Sequence, residues 1–267
     1  MKLRKLLALL LALTLSVFAF VSCGNPDDDD DIDPVELVEN AEAALANQPY
    51  YVDTTISFEC ENAQIQAKFQ DMGGTMTMAV DGKKVQMQMA MDMSYYTVSI
   101  DAVIVDNVLY INQTTSATGG VSQPQKTKIA MTDEQYNEML GTMGGSSSIE
   151  VKPSDFESVT FKLEDGAYVV TCTDLSADKY ETLNEALGTL PEGTTVAVSD
   201  ASYVLTVKDG KLEAAVLDAT YSITTSGVTV DLDMSIELDY DFTKTVNINV
   251  PADAEAYTER SYEDIYG

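Results

Sequence analysis

Few side chains in this sequence have the type and spacing for chemistry, and the thiol of Cys23 comes first. It ends a run from Leu6 to Val21 that is apolar except at Thr14 and Ser16, and it sits between Ser22 and Gly24-Asn25. A thiol at the end of such a run is a candidate for an acyl anchor. Met76, Met78, Met87, Met89 and Met91 alternate with other residues, and their soft thioethers suit an apolar guest or copper(I). Cys60 and Cys172 lie far apart and outside any CxxC setting. In an oxidising compartment they can close a loop of roughly a hundred residues, worth about 4–5 kcal/mol, or stay as two buried thiols. The pairs Asp231/Asp233 and Asp239/Asp241 have glycosidase-type carboxylates, but their alternation places them on a solvent face among like charges. The chain has no Trp to form a sugar platform and no His, which excludes Ser-His-Asp, Cys-His and His-metal schemes. No P-loop or dinucleotide fingerprint is present, so no cofactor and no metal site are implied, and no catalysis is expected.

Lys2, Arg4 and Lys5 precede the apolar run. Together with Ser22-Cys23 they resemble the lipobox of bacterial lipoproteins, from which Phe20 and Val21 depart. That resemblance implies that residues 1–22 are cleaved, Cys23 is diacylated, and the rest is tethered outside the cytoplasmic membrane. An ordinary signal peptide or an uncleaved anchor is the alternative, although the run is marginal for a bilayer span. The signal takes three of the 15 Lys and Arg and none of the 44 Asp and Glu. The mature chain then carries 12 positive against 44 negative groups, a net charge of −32. Such a charge repels nucleic acid and anionic headgroups, so the membrane contact expected is the anchor alone. Apolar residues make up 45% of the chain, enough to build a core. A monomer is expected.

The elements that must position these groups follow from periodicity. Residues 23–33 hold Asp27 to Asp31, five like charges that cannot pack and read as an extended tether. Residues 34–47 read as a helix with Asp33 as N-cap, Pro34 at its first position, and Leu37, Val38, Ala41, Ala44 and Leu45 as one stripe. Glu36, Glu39 and Glu42 then belong to its solvated face. Further helices are expected at 132–141, with a Thr132/Gln135 capping box, and at 177–189, capped by Ser176. Elsewhere the period is two. Strands meet at Asp81-Gly82, Asp106-Asn107, Asp165-Gly166 and Asp209-Gly210, dipeptides that tolerate positive φ. Ile65-Ala67-Phe69 also alternate, residues 112–127 read as a loop, and Gly144 to Ser148 read as a break. The longest alternation places Val228, Val230, Leu232, Met234, Ile236, Leu238, Tyr240 and Phe242 on one side and acidic or hydroxyl residues on the other. A half-buried strand of that length, roughly 50 Å, calls for a twisted, curved sheet.

Three segments, Val105-Asp106-Asn107-Val108-Leu109-Tyr110, Lys208-Asp209-Gly210-Lys211-Leu212 and Asn247-Ile248-Asn249-Val250-Pro251, are similar to the LolA/LppX/LprG-like lipoproteins. The resemblance implies an α+β half-barrel over residues 34–255, a strongly curved antiparallel sheet whose concave face is covered by helices. It also implies a cavity for lipid, glycolipid or lipoprotein acyl chains between sheet and helices. The C-terminal tail at 256–267 is a reading of the residues alone, and its Tyr257, Tyr262 and Tyr266 would equally suit a packed edge. Met76, Met78, Met87, Met89, Met91, Leu232, Met234, Ile236 and Leu238 are the candidate lining. The same residues would serve a filled core, in which case the acidic face is the surface that meets a protein or cations.

Overall fold

The computed structural model describes residues 32–60, 72–93, 96–117, 120–137, 151–187, 189–190, 194–225 and 227–266. The expected signal, Cys23, most of the tether, Ile65-Ala67-Phe69 and Gly144 to Ser148 lie outside the described residues.

Two antiparallel meanders make one curved, unclosed α+β half-barrel. The first runs through β1 (Tyr50–Glu59), β2 (Met72–Asp81), β3 (Lys84–Met93), β4 (Tyr96–Val105) and β5 (Val108–Ala117). Of residues 112–127, expected as a loop, 112–117, 120–121 and 125–127 are strand. β5 continues to Ala117, β6 (Gly120–Val121) pairs with it, and β7 (Gln125–Ala130) pairs along its other side. Polar residues on the open face of an edge region look like loop residues until their pairing is known. The second meander contains β8 (Phe156–Glu164), β9 (Ala167–Leu175), β10 (Thr189–Leu190), β11 (Thr194–Lys208), β12 (Lys211–Thr225) and β13 (Val228–Asp241). β13 then pairs with β1 over nine registered pairs and joins the two meanders. Residues 257–260 pack against the sheet edge rather than trailing free. β14 (Thr258–Arg260) lies parallel to β7, and the Tyr257 ring meets Tyr110 edge-on at 5.5 Å.

Turn chemistry explains the hairpins. Asp106 and Asn107 have φ of 52° and 59°, Asp165 and Gly166 have 49° and 81°, and Asp209 and Gly210 have 51° and 69°. Two positive φ values in a two-residue loop give the twist that matches right-twisted strands. Gly82, at φ 58°, opens the β2–β3 turn instead.

α1 (Pro34–Leu45) starts as its sequence requires, with Val35 N–H donating to Asp33 Oδ1 at 2.9 Å. It ends two residues short of the expected boundary and packs on β12, β11 and β8. Val38, Ala41 and Leu45 are buried there, and so is Glu42, which is only 2% exposed. Residue 42 is four positions from 38, on the same helical face, and geometry overrides its polarity. α2 (Ala177–Leu187) packs on β11 through Leu183, while Thr189 already belongs to β10. Residues 133–137 are helical, and the Thr132/Gln135 box closes through reciprocal bonds of 2.9 and 3.1 Å. This turn sits at the hairpin ends, where Asp133 accepts from Lys83 at 2.9 Å and Asn107 at 2.8 Å. Those donors hold its carboxyl below the usual range. The outer face is crossed by residues 246–248, whose Val246 and Ile248 pack on Tyr51, Ala79, Val103 and Val105.

Cys60 and Cys172 do not form a disulfide with each other; both are buried thiols, the other arrangement open to them from the sequence. Cys60 follows β1, and Cys172 lies on β9, reached only through β13, β12 and β11. Four strand steps are roughly 19 Å along the sheet, well beyond the limit of about 7 Å between bridged Cα atoms. Burial, helped by the nearby Glu42 carboxylate, pushes the Cys172 thiol up to about 12. We predict that the chain carrying Cys23→Ser titrates close to no thiol with Ellman's reagent at pH 8 while folded. In 6 M guanidinium it should titrate two, whereas a bridged pair would titrate none in either state.

Candidate functional site

Alternation puts every second residue of β1, β13, β12 and β11 on each face of the sheet, and register decides which residues meet. On the inner face Thr54 stands between Met76 and Leu238, Ile56 between Gly74 and Ile236, and Phe58 is opposite Met234. Met76 then meets Met89, Met78 meets Met87, and Gly74 meets Met91. Gly74 gives Met91 its space: a Cβ there would come 2.8 Å from the Ala90 carbonyl oxygen and collide with the Met91 thioether. The rows continue across Leu217, Tyr203 and Cys172 to Val159. All nine residues expected to line a cavity are therefore together, and each is at most 8% exposed within one hydrophobic cluster.

Polar atoms are also enclosed on this face. The hydroxyls of Tyr203 and Tyr240 are buried without a hydrogen-bond partner, as is that of Thr54. Burial pushes both phenols well up, and the Glu42 carboxylate nearby adds to this. Burial alone takes Tyr50 up to about 12.

A concavity of about 440 Å³ lies on the opposite, polar face, across β1, β13, β12 and β11. A bulge in β11 helps to shape it. The register with β12 shifts between Val198 and Asp200, so Val198 and Ala201 are both buried while Ser199 and Asp200 both face outward. Five carboxylates, Glu59, Asp200, Asp218, Asp233 and Glu237, line the groove beside Ser57, Ser202, Ser235 and Thr220, and none of the described lining residues is basic. The strands place hydroxyls between acids. Thr220 Oγ1 donates to Asp233 Oδ1 at 2.6 Å, and next to the groove Ser222 Oγ donates to Asp231 Oδ1 at 2.6 Å.

Charge balance differs along β13. At its C-terminal end Lys244 Nζ is 3.4 Å from Asp241 and 3.8 Å from Asp53. Asp241 also accepts from Thr243 N–H and Oγ1 at 2.8 and 2.6 Å, and these bonds hold its carboxyl down at about 2. Inside the groove Glu59 faces Asp233 directly across the ladder. Like charges so opposed are destabilising. The chemistry available is attraction of cationic groups to carboxylates flanked by hydroxyls. Among the described residues no group of three or more Cys, Asp or Glu closes on a point as a metal cage does. No described helix is long and apolar enough to cross a membrane.

The sequence marked Asp231, Asp233, Asp239 and Asp241 as solvated acids but had no signal that brings Glu59, Asp200 and Asp218 to the same place. Their common feature is an outward position on strands whose pairing order is not encoded locally.

No family model and no curated protein matches this chain. Among solved structures, the ywiB protein from Bacillus subtilis is 11% identical, with 72% of this chain and 91% of that one covered at a TM-score of 0.16. MucB in complex with MucA(peri) is 10% identical over 80% and 100%, again at 0.16. The Pseudomonas aeruginosa MucA/MucB complex is 9% identical over the same shares at 0.12. Scores at this level add nothing to the architecture described above.

The opposed acids give a direct test. Glu59→Gln should stabilise the fold by roughly 0.2–1 kcal/mol at 20 mM salt, and the gain should shrink strongly at 500 mM as screening shortens. Thermal unfolding at both salts measures it; an equal gain at both would show that charge is not its origin.

Proposed function

We propose that this chain is a non-catalytic binding lipoprotein, held outside the cytoplasmic membrane by an acylated Cys23, whose outer groove takes a cationic segment of a protein partner. The observation behind this reading is the concavity itself. It is lined by five carboxylates without a basic lining residue and accepts a directly opposed acidic pair. A net charge of −32 on the mature chain would steer cationic partners toward it over a distance set by salt. The inner-face side chains are buried together in one hydrophobic cluster, which supports the filled core of a scaffold.

Calorimetric titration of the purified full chain in detergent with a ten-residue peptide of alternating lysine and serine tests the reading. The paired change Asp218→Asn with Glu237→Gln should weaken binding about 5- to 30-fold, since each exposed charge is worth up to about 1 kcal/mol. The control change Glu164→Gln with Asp165→Asn, at the β8–β9 turn, should leave it within about twofold. Equal losses in both variants would mean diffuse charge attraction and would refute the groove.

A second reading, an apolar guest beneath α1, draws on one observation: two phenol hydroxyls are buried in the apolar interior without a protein partner. The polar end of a lipid would supply one, and the flexible methionine side chains would adapt to its acyl chains. Native mass spectrometry of the protein taken from its own membranes should then show a bound lipid at stoichiometric level. Repeated recovery without lipid rejects it.

A further inference from the structure

The two edges of the sheet are built differently. β14 closes one of them with three exposed residues, Thr258–Arg260, running parallel to β7. A short, charged strand of this kind is a poor template for another chain. β8 closes the other edge among the described strands, with eight of its nine residues in registered pairs with β9, on one side only. Its Val159, Phe161 and Leu163 share the inner face with Cys172, Val170 and Tyr168, to which they are paired. Yet Phe161 is 42% and Leu163 63% exposed, and the Phe161 ring stands 6.1 Å from that of Tyr168. Such an edge, with open backbone donors and acceptors and an apolar side, is suited to strand addition.

We infer that β8 pairs antiparallel with β8 of a second copy of this chain, about a two-fold axis through Phe161. Self-complementarity selects the occupant. An antiparallel ladder opposes residues of the same face, so a two-fold pairing can slide only by steps that keep side-chain parity. Centred on Phe161, the register sets Phe161 against Phe161, Val159 against Leu163, Thr160 against Lys162, and Ser158 against Glu164. Over residues 158–164 apolar residues meet apolar residues and no like charges are opposed; Glu157 meets Asp165 only beyond that window, where Asp165 already belongs to the turn after β8. Centred on Lys162, two lysines face each other; centred on Thr160, Leu163 faces Glu157. The excess negative charge does not prevent this contact. The acidic groove begins on β11, two strand steps from β8 and on the other face. Two steps are roughly 10 Å, beyond the Debye length of about 8 Å at physiological salt. The inference is independent of what the groove or the interior binds.

Directly opposed Cα atoms in such a ladder are about 4.5–5.5 Å apart, within disulfide range. Full-length Phe161→Cys in its native membrane should therefore convert largely to a reducible dimer under mild oxidation, while Lys162→Cys should convert at least about tenfold more slowly. The double variant Thr160→Cys with Lys162→Cys retains Phe161, probes the same register through a different pair, and should also cross-link. Monomeric Phe161→Cys alongside a monomeric double variant overturns the proposal, whether the strand is left bare or is covered by a lipid surface or another protein. Cross-linking of Lys162→Cys as fast as Phe161→Cys overturns it too, because contact would then lack the stated register.

Discussion

The β1–β13 seam is the interaction on which the rest of the molecule depends. Tyr51 pairs with Asp241 and Glu59 with Asp233, so strands from opposite ends of the chain close nine consecutive pairs. Without them the first meander, β1 to β5, and the second, β8 to β13, would each end in an unpaired edge with one apolar face. The seam makes their inner faces one surface, and α1 packs on the second meander as part of the same cluster. The loop-closure cost of such long-range pairing falls early in folding, before the contacts that compensate for it are complete.

Magnitudes explain why the seam holds although its outer side is unfavourable. Inside, Ile56, Ile236 and Leu238 are at most 2% exposed, and burying each aliphatic side chain contributes about 1.5–3 kcal/mol. Outside, Glu59 opposes Asp233 and Asp53 opposes Asp239, at a cost of roughly 0.2–1 kcal/mol per pair. Burial wins by several-fold. The outer face is therefore free to carry an acidic groove over its centre, whereas Lys244 balances the acids at one end of β13. A surface that weakens its own fold slightly is more readily understood as a binding surface than as a structural one.

Much of this was legible in the residues, and what was not legible has a physical cause. Period-two alternation marked the strands, Asp-Gly and Asp-Asn marked the turns, and Asp33, Thr132 and Ser176 cap where local hydrogen bonding says they should. These are short-range properties. The length of β13 pointed to curvature, and the sheet is curved. Properties set by distant pairing were hidden: the order of strands, the four-step separation of Cys60 from Cys172, and the meeting of Glu59, Asp200 and Asp218 across the seam. Glu42 shows the limit in miniature. Its polarity suggested solvent, but its place four residues after Val38 points it into the sheet. Likewise the methionine stripe marked a face correctly without revealing whether that face encloses a space or fills it.

Hydrogen–deuterium exchange of the full chain tests the seam most directly. If β1 and β13 are the joined centre of one sheet, the amides of 51–59 and 229–240 exchange together and are among the slowest, with protection declining toward β8 and β14. Rapid exchange in β1 while β11 to β13 stay protected would show two separable meanders and contradict the single half-barrel.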